Sequence, residues 1–128
     1  MVPKEFREEL KPRCFATKGQ EKCLYVFAQD QWDVEYRRVS SLPRTDPRAR
    51  RFSRSFFASA TTRELDRQGR LQLSKTLLDY AGLESDAIVV GVADHIEIWS
   101  PDAWDDIETE ADDYYAGIEE VLSQTEGI

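Results

Sequence analysis

The residues best suited to contact another molecule form the run Asp66-Arg67-Gln68-Gly69-Arg70. An Asp leads it and a Gly free to take positive φ closes it, so the run reads as a tight turn. Arg70 carries a planar fork of donors that can pair bidentately with phosphate or with the edge of a guanine. Arg63 and Arg67 add nearby charge of the kind that meets phosphates. Asp66 and Gly69 read as turn support, Asp66 through the local backbone or by pairing with Arg70. Residue type alone leaves two readings open for the arginines: solvated charges on an exposed turn, or contacts to an anion.

Other chemistries find few residues. The only cysteines are Cys14 and Cys23 and the only histidine is His95, with no CxxC spacing, so no metal site is expected. There is no Gly-rich phosphate loop and no Ser-His-Asp order, so neither an enzyme, a catalytic residue, a cofactor nor a small-molecule substrate is expected. His95 starts a strand pattern and reads as structural. No apolar run approaches the roughly 18 residues of a membrane span. The first ten residues hold no apolar signal-peptide core. A soluble, cytoplasmic protein with both thiols reduced is the expectation.

The net charge of −8 is unevenly spread. Residues 1–36 carry six basic and seven acidic groups; residues 37–70 carry ten Arg against Asp46, Glu64 and Asp66. Residues 71–128 carry Lys75 alone against fifteen acids. Exposed charges farther apart than about 8–10 Å are largely screened, so a basic middle can act on phosphate despite an acidic end.

These features must be positioned by a repeat. Val2-Pro3-Lys4-Glu5-Phe6-Arg7-Glu8-Glu9-Leu10 parallels Leu73-Ser74-Lys75-Thr76-Leu77-Leu78-Asp79-Tyr80-Ala81, and the stretch Cys23 to Trp32 parallels His95 to Trp104. Each copy reads as a short helix (3–10 or 75–81), a strand (13–17 or 87–92), a turn, a second strand (23–27 or 95–99) and a helix start. Ser100 followed by Pro101 is a strong start signal. In front of the second copy, residues 58–73 read as strand, turn, strand. The first copy has no counterpart, so it is expected to be truncated at its N-terminus. A start placed too far downstream, a trimmed chain and a true short form are the three explanations.

Two copies divide the chain into a first half-unit at 1–32, a helical connector at 33–57, a second half-unit at 58–104 and an acidic C-terminal helix and tail at 105–128. In the connector, Asp46 is the expected N-cap and Pro47 the first helical residue. Phe52 and Phe56 share a face of that helix. Its arginines at 48–54 read as solvated or paired with a neighbour's acids, with nucleic-acid contact as the second reading. Trp32, Trp99 and Trp104 read as core or interface residues. The acidic helix, expected over 101–124, carries an apolar stripe at Trp104, Ile107, Ala111, Tyr114, Tyr115, Ile118, Val121 and Leu122.

Taken in order, several of these stretches resemble the MraZ family of bacterial regulators, within the AbrB-like swapped-hairpin superfamily. They are residues 2–10, Arg48-Ala49-Arg50-Arg51-Phe52-Ser53-Arg54, Glu64-Leu65-Asp66-Arg67-Gln68-Gly69-Arg70-Leu71, Tyr80-Ala81-Gly82-Leu83, Val89-Val90-Gly91-Val92 and Ile96-Glu97-Ile98-Trp99. The similarity spans nearly the whole chain.

The resemblance implies an α+β fold with a mainly β core. Two swapped-hairpin pseudo-repeats would form one double-split β-barrel with flanking helices and a C-terminal helix. It implies a ring-like homo-oligomer, associated with the nucleoid, that binds double-stranded DNA at promoter repeats of the division and cell-wall gene cluster. It implies an Asp-x-x-x-Arg motif in each unit; here the second is present, at Asp66 and Arg70. On this reading Arg70 contacts DNA, with Arg67 and Arg63 secondary. The missing first hairpin motivates an alternative, an oligomerising interaction module that does not bind DNA.

Overall fold

In the computed structural model, residues 1–115 and 118 are described. The order is α1 (Lys4–Arg7), β1 (Cys14–Lys18), β2 (Leu24–Ala28), α2 (Gln29–Ser40), α3 (Pro47–Ser59), β3 (Thr61–Arg63), α4 (Lys75–Ala81), β4 (Ile88–Val92), β5 (His95–Trp99) and α5 (Pro101–Tyr115). The strands form one antiparallel sheet in the order β3-β1-β2-β5-β4. The architecture is α+β around this sheet, as expected.

Alternation along the strands gives the sheet two buried faces. Cys14 and Ala16 of β1, Leu24 and Val26 of β2, and Ile96 and Ile98 of β5 join Val2, Leu10 and Leu77 in one core. On the opposite face Phe27 packs with Trp32 and Val39 of α2 and Phe56 of α3. Trp32 stacks between Phe15 and Phe56, with ring centroids 5.0 and 5.6 Å away. The buried Thr17 hydroxyl donates to the Phe56 carbonyl at 2.7 Å and lies 3.0 Å from Ser59 Oγ, which fastens α3 to β1.

Local signals set the helix starts. Asp46 accepts the Arg48 N–H at 2.8 Å with Pro47 at the first helical position. Ser74 caps α4 through the Leu77 N–H at 3.2 Å, and Gly82 ends that helix at φ 63°. Ser100 accepts from the Ala103 N–H at 3.2 Å. Phe52 and Phe56 stack at 5.7 Å, the pairing their spacing predicts.

The central pairing has the twofold character of the repeat. Tyr25 faces Glu97, 72 positions later, and the pair Leu24–Ile98 mirrors the pair Val26–Ile96. The same offset relates Trp32 to Trp104.

Three expectations need correction. The sheet is not closed into a barrel. β3 pairs with β1 of the other half rather than with its own hairpin, while the outer edge of β4 has no strand partner among the described residues. Accordingly Cys14, Ala16 and Thr17 of β1 are buried and no residue of β4 is. Second, residues 58–73 are not strand, turn, strand. Ala58 and Ser59 continue α3, Ser59 being held against Thr17, and only Thr61–Arg63 form a strand. Leu71 and Leu73 pack against the core without a ladder. Third, the first helix spans four residues rather than 3–10.

α5 is helical from Pro101 to Tyr115; Val121, Leu122 and the rest of the expected helix beyond 118 lie outside the described residues. No helix among the described residues is long and apolar enough to cross a membrane.

Candidate nucleic-acid interface

The turn forms because its first residue satisfies the backbone that follows. The Gly69 N–H donates to the Asp66 carbonyl at 3.0 Å, and the Asp66 N–H to the Arg70 carbonyl at 3.0 Å. Asp66 Oδ1 accepts the N–H groups of Gln68 and Arg70, both at 2.9 Å. Gly69 sits at φ 81°, a left-handed conformation that glycine takes without steric cost. Chief among the causes that hold the Asp66 carboxyl below its usual range is the hydrogen bond from the Arg70 backbone.

Asp66 also aims the arginine. Its Oδ2 accepts from Arg70 Nε at 3.1 Å, while the Arg70 side chain remains 59% exposed. Neither terminal amino group of Arg70 has a hydrogen-bond partner among the described residues. The result is an exposed guanidinium tethered at Nε, whose two terminal amino groups are left for bidentate pairing with an anion. Arg67 and Gln68 are exposed on the same turn.

Arg63 lies elsewhere. It is the last residue of β3, opposite Cys14, and its Nε is buried with no hydrogen-bond partner. Arg67 and Arg70 thus share the turn, while Arg63 stands at the end of the strand before it.

The N-terminal segment grips the back of the turn, a role sequence reasoning did not assign. The Val2 N–H donates to the Gly69 carbonyl at 2.9 Å, and Arg7 Nε donates to the Val2 carbonyl at 2.7 Å. A Cβ built on Gly69 would run into the Arg7 side chain, with Cδ 2.7 Å away. Gly69 is buried by this contact. The available signal was the similarity of residues 2–10 to residues that follow the turn in the second copy, which places both beside a turn.

The remaining reactive groups are set away from chemistry. Burial pushes the Cys14 thiol up to about 11 and the Cys23 thiol up to about 12, so neither is a thiolate near neutrality. His95 lies between two carboxylates, Nδ1 at 2.7 Å from Asp94 and Nε2 at 2.9 Å from Glu97. Glu97 also accepts from Trp99 Nε1 at 3.0 Å, and the imidazole packs edge-on to Tyr25 at 4.6 Å.

The chain matches the model of the MraZ protein family, described as antitoxin-like, twice, over residues 1–55 and 56–121. It is 47% identical over 122 residues to the transcriptional regulator MraZ of Desulfitobacterium hafniense (strain Y51), covering 95% of this chain and 85% of the relative. The protein of the same name from Natranaerobius thermophilus is 38% identical over the same shares of the two chains. That from Alkaliphilus metalliredigens is 48% identical over 103 residues, covering 80% of this chain and 72% of the relative.

Proposed function

Because the chain belongs to the MraZ family, we propose that it is a transcriptional regulator that binds double-stranded DNA in a sequence-specific way. Its targets on this reading are promoter repeats of the division and cell-wall gene cluster, bound by a ring-like homo-oligomer in the cytoplasm at the nucleoid. The observation that carries it is Arg70, tethered through Nε by Asp66 with its outer donors unpaired. Arg67, exposed on the same turn, supplies a phosphate contact. Arg63 takes a lesser part from β3. One turn offers few contacts, and repetition around an oligomer multiplies them.

The test is titration of the protein with duplex DNA from its own upstream region at several salt concentrations. The affinity is expected to fall with salt, and Arg70→Ala to lower the salt slope by roughly one unit. Equal binding by Arg70→Ala and the parent would remove Arg70 from the interface. The open outer edge of β4 offers a surface for assembly, and an oligomerising module that does not bind DNA is the second reading. Assembly without a DNA shift at low and moderate salt supports that reading instead.

A further inference from the structure

We propose that the outer part of α5 in one copy docks into the groove between α2 and α3 of the next. This rests on the homo-oligomer reading and gives it a surface. α5 starts on the body of its own chain, where Trp104 packs 6.0 Å from Trp99 and Ile107 is half-buried. From Glu108 to Tyr115 every residue is exposed, including Tyr114 at 72% and Tyr115 at 81%. This end of α5 turns its apolar side chains to solvent, a surface without a packing partner among the described residues. Ile107, Ala111 and Tyr114 recur at helical spacing and form one stripe. Around them stand Glu108, Glu110, Asp112 and Asp113, and α5 contains no basic residue.

The groove has the complementary pattern. It is about 360 Å³ in volume. Val39, Leu42, Ala49 and Phe57 supply apolar lining, and Arg44, Arg50 and Arg54 supply charge. No ion pair joins these arginines to α5 among the described residues. A duplex backbone answers the arginines but leaves apolar lining unfilled. An acidic amphipathic helix answers both, in the helix-in-groove mode. Every copy carries both surfaces, and they are different patches. One copy's α5 can therefore enter the groove of the next while its own groove receives another α5, and with a closing rotation that head-to-tail contact makes a ring.

The experiment is sedimentation velocity on the full chain, with circular dichroism to verify folding. Arg50→Glu with Arg54→Glu is one variant, Glu108→Arg with Asp112→Arg a second, and all four changes together a third. Wild type is expected to assemble, the first two variants to associate roughly tenfold more weakly or worse, and the combined variant to recover. Tyr114→Ala, which leaves the charges intact, is expected to weaken assembly as well. If wild type assembles and the charge variants match it, the groove assignment falls while the oligomer reading stands. If wild type is monomeric, both fall. Weakening in both charge variants without recovery in the third overturns the pairing. So does an arginine variant that assembles normally but loses DNA, since the arginines then belong to the nucleic-acid surface.

Discussion

Asp66 holds Arg70 at two points: Oδ1 takes the backbone N–H at 2.9 Å and Oδ2 takes Nε at 3.1 Å. One carboxylate thus shapes the turn and orients the side chain that leaves it. Orientation and charge can be separated by mutation. Asp66→Ala keeps the arginine's charge but frees its torsions, and is expected to weaken DNA binding with little change in salt slope. Arg70→Ala is expected to weaken binding and reduce the slope by roughly one unit. Paired salt titrations of the two variants check the difference; equal slopes would show that Arg70 makes no phosphate contact.

Gly69 is required by φ 81°, and the Arg7 side chain packed on it, which can shift, adds a smaller cost to any larger residue. Gly69→Ala is expected to destabilise the fold by about 1–3 kcal/mol, the usual range for a residue forced into an unsuitable conformation. Adding Arg7→Ala should recover the part due to crowding and leave the part due to φ. Urea unfolding of the two single variants and the double variant completes the cycle.

His95 makes stability depend on pH. Burial lowers its pKa, but the hydrogen bonds and charges of Asp94 and Glu97 outweigh burial and leave it raised. A group with a raised folded pKa stabilises fully below its unfolded value of about 6.5, and that contribution is lost as pH rises through the folded value. Unfolding free energies measured from about pH 6 upward should therefore decline more for wild type than for His95→Gln. Parallel profiles would mean that the two carboxylates do not favour the imidazolium.

Thr17 offers a test of how α3 is held. Thr17→Val keeps the shape and removes the hydroxyl that meets Phe56 and Ser59. A loss of about 1–2 kcal/mol is expected for one buried hydrogen bond, because Ser59 Oγ still reaches the Phe56 carbonyl at 3.2 Å. Thermal unfolding measures it, and an unchanged midpoint would show that apolar packing alone fastens the helix.

The buried thiols of Cys14 and Cys23 should react slowly with a thiol reagent at neutral pH and quickly once the chain unfolds. Rapid labelling of the native protein would contradict their burial.

Much of this was legible in the chain. The caps at Asp46, Ser74 and Ser100 use side chains within three residues of the N–H groups they satisfy, so they could be read locally. The turn at Asp66 was readable for the same reason. The strand after it was not, because Leu71 and Leu73 alternate as a strand would but meet no ladder partner. Nor was the placement of Arg63, whose strand finds its partner 49 positions back at Cys14.

The sequence by itself determined most of the helices and strands, the twofold repeat and the turn at Asp66 that presents Arg70. Each depends on contacts within a few residues or on a period visible in the chain. The tertiary structure decided the open sheet, the crossing of β3 to the other half and the grip of Val2 and Arg7 on Gly69. Those contacts join residues tens of positions apart. Which strand edge or helix face a residue meets depends on what else competes for it, and only the assembled chain resolves that competition.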